Sequence, residues 1–345
     1  MQMHPNFKLN RSQFTEEDLV EVAISFIKEG EPFEKAIGDF ICDWFSKNDF
    51  VEVQTSGSTG KPKTIRIEKR FMVNSALATG SFFNLNAGDT ALLCLPAEFI
   101  AGKMMLVRAM VLGLHLDFVS PSSSPLQENK SDYDFCAMVP LQVENSIENL
   151  HRLNKLIIGG APISNSLKNK LGNLETKFFE TYGMTETITH IAAKRLNDEF
   201  FKVLPGVSVS IDDRGCLVIN APIISKTEVV TNDLVTVDSE SSFKWLGRFD
   251  NIINSGGVKL IPEVIEKKLS SEIKGRFFVS GVPDHTLGEK LILVVEGQEV
   301  PKLKEALSTL PSLKRFELPK SIHFIPYFKE TGSGKINRTK TLELL

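Results

Sequence analysis

QTSGSTGKPKTIRIEKR, residues 54–70, is dense in Gly, Ser and Thr and carries lysines close behind. Small residues let backbone N–H groups converge on an anion, and the hydroxyls and Lys63 add further donors. A Walker A loop, however, needs two glycines separated by four residues, then Lys, then Ser or Thr. Here Gly57 and Gly60 have only two residues between them, and Pro62 follows Lys61. The later GSGKIN (332–337) fails as well, because Ile336 follows Lys335. The stretch has the capacity of an anion cradle without the P-loop pattern, and taken alone it reads equally well as a turn.

Its surroundings set the fold class. FVEVQ (50–54) alternates like a strand and leads into the loop. Ahead of it lie two amphipathic helices. Thr15 with Asp18 three positions on forms a capping box for the first. EPFEKAIGDFICDWFSK places Phe33, Ile37, Ile41 and Trp44 or Phe45 on one core-facing stripe of the second. Beyond the loop, TALLCLP, LHLDFVS, DFCAMVP, NKLIIGG and TKFFETYG are short apolar runs ending in turn residues. RFMVNSALATGSFF, AGKMMLVRAMVLG and ISNSLKNKLG separate them as helices. This alternation predicts an α/β fold with a mainly parallel sheet flanked by helices.

After about residue 200, VSVSIDDRGCLVIN, TEVVTNDLVTVD and SSFKWLG read as a small antiparallel β subdomain. After Gly247 a compact α+β unit of about a hundred residues follows. It runs from NIINSGGVKL through the helix IPEVIEKKLSSEI, the strands RFFVSGV and KLILVVEG and the helix PKLKEALSTL to SIHFIP. SPSSSPLQ (120–127) reads as an exposed loop, and no internal repeat is evident.

A net charge of −3 and a pI near 6.1 give no reason to expect a nucleic-acid partner. Cys42, Cys94, Cys136 and Cys216 are far apart and form no CxxC pair, which speaks against zinc and dithiol redox sites. Free thiols in a reducing compartment are expected instead. The start, MQMHPNFKLNRSQFTEEDL, does not read as a signal peptide, and no stretch approaches the ~20 apolar residues of a membrane span. A soluble, cytoplasmic protein without membrane insertion is the expectation.

TSGSTGKPK (55–63) resembles the phosphate-binding signature of the adenylate-forming superfamily, which comprises acyl-CoA synthetases, luciferases and peptide-synthetase adenylation domains. Five further landmarks of that superfamily occur in order: GGAP (159–162), TYGMTET (181–187), TNDLV (231–235), LGRFDNIINSGGVKLIPEVIE (246–266) and TGSGKINR (331–338). The resemblance implies an ATP-dependent ligase with a large domain over 1–249 and a small, mobile lid domain over 250–345. A carboxylate attacks the α-phosphate of ATP to give an acyl-adenylate and pyrophosphate, and the thiol of coenzyme A then displaces AMP.

By the same resemblance, Thr55, Ser56, Gly57, Ser58, Thr59, Gly60 and Lys63 wrap the β- and γ-phosphates. Gly160, Ala161 and Pro162 wall the adenine pocket, with Tyr182 and Gly183 beside the base. Thr185 touches the α-phosphate, and Glu186 holds Mg²⁺. Asp233 accepts from the ribose hydroxyls next to Arg248. Lys335 bridges the carboxylate and the α-phosphate in the first step. A hinge at Asp250 then brings Gly256, Gly257 and Lys259 to the CoA channel.

Three positions depart from the commonest pattern. Asn232 replaces the Gly of a T-G-D motif, Cys216 stands where Glu often follows Gly, and Glu98 in LPAEFIAGK takes a place often held by His or an aromatic. The loop also begins with less chain ahead of it than in most relatives. A pared-down N-terminal part, a small acyl pocket and no downstream carrier domain are therefore expected. YGMTETITHIAAKR (182–195) looks most like the short bacterial o-succinylbenzoate–CoA ligases of menaquinone biosynthesis. A substrate with two carboxylates needs donors for the one that does not react. His190, Thr189, Lys103 and Arg108 are the candidates, although Lys103 and Arg108 read equally as helix-surface charges. Another aryl- or acyl-CoA ligase, a carrier-loading adenylating enzyme and a nucleotide-binding regulator are the alternatives. Retention of Glu186 and Lys335 speaks against the last.

Overall fold

The computed structural model describes residues 3–54, 64–127, 129–330 and 336–345. The chain divides into two compact units that interleave in sequence. The first comprises Met1–Val209, Ile219–Val229 and Ser239–Ser242; the second comprises Ser210–Val218, Val230–Asp238 and Phe243–Leu345. The second unit thus takes in residues well ahead of position 250.

In the first unit, the Thr15 side chain accepts from the Asp18 N–H while the Asp18 carboxylate accepts from that of Thr15, closing the expected capping box on the helix Glu16–Glu29. Pro32 opens the next helix, Pro32–Phe45, at a position where its missing N–H costs no hydrogen bond. That helix buries Ile37, Phe40, Ile41 and Trp44. The strand Phe50–Gln54 pairs antiparallel with Thr64–Glu68, from Phe50 opposite Glu68 to Gln54 opposite Thr64.

The main sheet of this unit is built from the apolar runs. His115–Phe118, Thr90–Leu93, Tyr133–Met138, Leu153–Ile158 and Lys177–Gly183 lie side by side in that order, each parallel to its neighbour. Their near-continuous apolar sequences are what strands covered on both faces require. His190–Arg195 and Phe201–Val203 extend the sheet antiparallel at one side. The first of these was not evident in the Thr-rich sequence. The helix Ile100–Leu112 buries Met104 through Met110 without a break, Arg108 among them. It has no polar face, so Arg108 is not the surface charge that its residue type suggests.

Cys216–Asn220, Val229–Ser239 and Ser242–Arg248, most of whose residues fall in the second unit, are neighbouring strands in that order. Ile253–Ser255 and Val258–Leu260 form a hairpin, followed by the helix Pro262–Leu269. Phe277–Asp284 pairs antiparallel with Gly288–Glu296, which pairs parallel with Ser321–Ile325. Ile265, Leu269, Val279, Leu291, Leu293 and Val295 centre the core of this unit. Cys94, Cys136 and Cys216 are buried free thiols and Cys42 is a half-buried one. No described helix is long and apolar enough to cross a membrane.

Leu156, fully buried mid-sheet, and Thr15, at an exposed cap, provide a test of which elements carry stability. Leu156→Ala is expected to lower unfolding free energy by about 2–5 kcal/mol. Thr15→Ala is expected to cost only about 1 kcal/mol. Urea denaturation followed by circular dichroism checks both.

Candidate active site

A cavity of about 230 Å³ opens at the carboxyl ends of the parallel strands of the first unit. This is where open α/β sheets bind ligands, because chain turns there leave a crevice with exposed backbone groups. Leu95 follows one strand, Met138 ends the next with Val139 just past it, Gly159 and Gly160 follow the third, and Thr181 and Gly183 end the fourth. Arg108, Thr185, Ile188, Thr189 and His190 complete the wall that carries chemistry. Six residues picked from sequence therefore meet here: Arg108, Gly160, Gly183, Thr185, Thr189 and His190.

The polar end of the cavity is a single network. Arg108 is 1% exposed, yet no described carboxylate pairs with it. Its Nη2 donates to Thr189 Oγ1 at 3.1 Å and lies 3.4 Å from His190 Nδ1, Nη1 lies 3.7 Å from Met105 Sδ, and Nε has no partner among the described residues. Because a guanidinium only donates, His190 Nδ1 is the acceptor and the ring proton sits on Nε2. That proton points to Thr79 Oγ1 at 3.3 Å, and Thr79 donates in turn to the Ser75 carbonyl at 2.9 Å. Burial first, and then the charge of Arg108, push His190 well below the ordinary histidine range, so the ring is neutral. Burial pulls Arg108 down to about 9, which still leaves it charged at neutral pH. Thr79 was not anticipated from sequence. Its signal is the run of small buried residues Ser75, Ala76, Ala78, Thr79 and Gly80 on the helix Lys69–Phe83.

Other candidates lie elsewhere in the first unit. Lys103 places its ammonium 5.1 Å from the Phe40 ring centre, is not in the cavity wall, and is lowered from the ordinary lysine value by burial. Ala161 and Pro162 are exposed just past Gly160. The Tyr182 ring packs 6.0 Å from Phe201. Glu186 is exposed on the turn Thr185–Thr187, and no cluster of three metal-ligating residues occurs among the described residues. A lone exposed carboxylate suits Mg²⁺, which keeps several waters and takes the rest of its ligands from phosphates. Thr55, Ser56, Gly57, Ser58, Thr59, Gly60, Lys63 and Lys335 lie outside the described residues.

In the second unit, Asp233 is buried and oriented. Its Oδ1 accepts from Trp245 Nε1 at 3.1 Å and lies 3.7 Å from Arg248 Nη1. Thr231 Oγ1 accepts from the Asp233 N–H at 3.0 Å and donates to the Leu217 carbonyl at 2.8 Å. Asn232, the departure from T-G-D, donates to Asp250 Oδ2 at 3.2 Å, and Arg248 Nη2 reaches the same oxygen at 3.2 Å. Gly256 and Gly257, with φ of 57° and 82°, form the two-residue turn between Ser255 and Val258. Such hairpin turns need positive φ at both positions, a local reason for the glycine pair. Lys259 is exposed on the strand that follows.

The sequence pattern of the AMP-binding enzyme family matches residues 42–220, just over half of the 345. The chain belongs to that family. A crystal structure of an acyl-CoA synthetase (AMP-forming)/AMP-acid ligase II-like protein from Dyadobacter fermentans is 36% identical, with a TM-score of 0.64 over 94% of this chain and 97% of that one. The 2-succinylbenzoate–CoA ligase of Lactococcus lactis is 27% identical over 84% of this chain and 69% of its own length. An o-succinylbenzoate coenzyme A synthetase from Bacillus subtilis, solved with ATP and magnesium, shares the fold, with a TM-score of 0.73 at 21% identity over 84% of this chain and 69% of that one.

The neutral His190 makes a pH prediction. Its folded value lies below the unfolded value of 6.5, so below that pH the unfolded chain takes up a proton that the folded one refuses. The stability contribution is therefore present above about pH 6.5 and lost as pH falls, by about 1.4 kcal/mol per pH unit. Denaturation at pH 7 and at pH 5 is expected to show a larger loss of stability on acidification in the wild type than in His190→Gln, the difference approaching that slope toward pH 5.

Proposed function

We propose that this chain is an AMP-forming acid–thiol ligase that converts o-succinylbenzoate to its coenzyme A thioester through an acyl-adenylate. The observation that carries the substrate reading is Arg108: a buried guanidinium without a carboxylate partner among the described residues, facing the cavity. A sealed positive charge is costly unless a negative group answers it, and a carboxylate takes a guanidinium in charge-assisted bonds. The carboxylate that does not react fills that role, with Thr189 as neighbouring donor and His190 as the neutral wall that holds Arg108 in place. The cavity volume suits a compact aromatic acid better than a long acyl chain. The 2-succinylbenzoate–CoA ligase relatives support the same reading.

In the first step, the reacting carboxylate attacks the α-phosphate and pyrophosphate leaves. Charge grows on the phosphate oxygens, so preorganised donors matter most there. In this reading Thr185, on the cavity wall, donates to the α-phosphate, and the loop Thr55–Gly60 with Lys63 holds the β- and γ-phosphates. Gly160, Ala161, Pro162 and Tyr182 receive the base. Asp233, already oriented by Trp245 and Thr231, accepts from the ribose hydroxyls beside Arg248. Glu186 would hold Mg²⁺, which when bound offsets phosphate charge. Lys335 supplies the cation between the two reacting groups.

In the second step, the thiol of coenzyme A displaces AMP along a channel that includes Gly256, Gly257 and Lys259, after reorientation at Asp250. The domain boundary at 249/250 belongs to the same proposal. Arg248 and Asn232, which both hold the Asp250 carboxylate, would be the contacts that such a hinge alters. The reading places the enzyme in the cytoplasm, in keeping with its free thiols.

The test is pyrophosphate release with ATP and Mg²⁺, with and without coenzyme A, using o-succinylbenzoate, benzoate and octanoate. The proposal expects release and thioester formation with o-succinylbenzoate, marginal rates with the other two, and a KM raised about 10–100-fold in Arg108→Met. Release with octanoate at an equal rate would discard the substrate. No release with any acid would favour a nucleotide-binding regulator.

A further inference from the structure

The backbone between the nucleotide-side residue Thr185 and the acyl-side residue Thr189 is strained. Ile188 sits at φ 66° and ψ −58°, and the Thr189 N–H donates to the Thr187 carbonyl at 2.7 Å. Together these define a γ-turn of the positive-φ kind, which is rare and disfavoured, the more so at a β-branched residue. Strain of this sort persists only where the surroundings over-determine it.

Two contacts do so here. Thr187 is 1% exposed; its hydroxyl accepts from the Met184 N–H at 3.0 Å and shares its proton between the carbonyls of Thr189 at 2.8 Å and Met184 at 3.0 Å. Gly183 brings its backbone against the far side. A Cβ there would lie 2.3 Å from the Thr189 oxygen and 2.5 Å from the His190 Cα. The register then shifts: His190 lies opposite Gly183, Ala192 lies opposite Tyr182, and Ile191 is left over.

The turn changes where side chains point. Consecutive residues of a regular strand face opposite sides of a sheet. Yet Thr189 Oγ1 and His190 Nδ1 both meet the same nitrogen of Arg108, at 3.1 and 3.4 Å. Thr189 lies between the γ-turn at Ile188 and the strand His190–Arg195, so strand alternation does not fix its side chain, and it meets the same guanidinium as His190.

We propose that Thr187 is a positioning residue for acyl recognition: its buried hydroxyl clamps the Ile188 turn, which sets Thr189 and His190 on Arg108 and so sets the preference for an acid with a second carboxylate. This rests on the reading of Arg108 under Proposed function. Thr187 itself touches neither the cavity nor the reacting groups; it acts through the turn.

The test compares o-succinylbenzoate with 4-oxo-4-phenylbutanoate, which lacks the ring carboxylate, by the ratio of their kcat/KM values in pyrophosphate release. Thr187→Val, which keeps shape and loses the hydroxyl, is expected to lower that ratio about tenfold, chiefly through the KM for o-succinylbenzoate. Thr187→Ser, which keeps the hydroxyl, is expected to restore it. Arg108→Met serves as the reference and is expected to abolish the preference. Loss in Arg108→Met with an unchanged ratio in Thr187→Val overturns the role of Thr187 and leaves Arg108 standing. An unchanged ratio in both overturns the Arg108 reading itself. Should Thr187→Val fail to fold, Thr187→Cys, which keeps the volume and makes only weak hydrogen bonds, takes its place. A reduced ratio there supports the proposal, and an unchanged one overturns it.

Discussion

A guanidinium sealed beneath the carboxyl ends of a parallel sheet is the constraint around which the first unit is arranged. Removing such a charge from water costs on the order of several kcal/mol even after relaxation. The described protein supplies only neutral partners for Arg108: a threonine hydroxyl, an imidazole nitrogen and a thioether. The imidazole accepts only because Thr79 takes its proton on the other side, and Thr79 is fixed by Ser75. Four side chains from two helices and one strand edge thus keep one positive charge aimed at a cavity. In the proposed function the carboxylate that does not react supplies the missing compensation, so the buried charge serves recognition rather than stability.

The same logic organises the second unit on a smaller scale. Asp233 is buried against Trp245 and Arg248, and Thr231 fixes its backbone. Arg214 bonds both Asn232 and the Thr231 carbonyl, so a loop arginine buttresses the segment on which Asp233 sits. Asn232, next to Asp233, uses its amide on Asp250. In both units a side chain proposed to meet substrate is held in part by residues behind it: Thr79 behind His190 and Arg108, Trp245 and Thr231 beside Asp233.

Much of the fold was legible because strands buried on both faces must be apolar throughout, and TALLCLP, DFCAMVP and NKLIIGG are. The capping box at Thr15 and the core stripe of Pro32–Phe45 were legible for similar local reasons. Membership of the family was legible from ordered motifs. What the sequence concealed was long-range. Lys103 and Arg108 sit five positions apart on one helix, yet Lys103 lies over Phe40 and Arg108 enters the cavity. A signal existed, since AGKMMLVRAMVLG offers no polar face on which Arg108 could be solvated. The strand His190–Arg195 was hidden because its entry is a strained turn, held by Thr187 and by the close approach of Gly183, and such contacts leave no periodicity. Thr79 was hidden because a helix threonine commonly bonds back to its own turn, as this one also does.

In the proposed function Arg108 waits for a carboxylate that does not react. Equilibrium titration calorimetry of the wild-type protein with o-succinylbenzoate and with 4-oxo-4-phenylbutanoate, without coenzyme A and with a non-hydrolysable ATP analogue present, tests it without any catalytic step. Removing the ring carboxylate is expected to weaken binding by at least about tenfold, the value of one charge-assisted contact. Equal affinity for the two acids would contradict it.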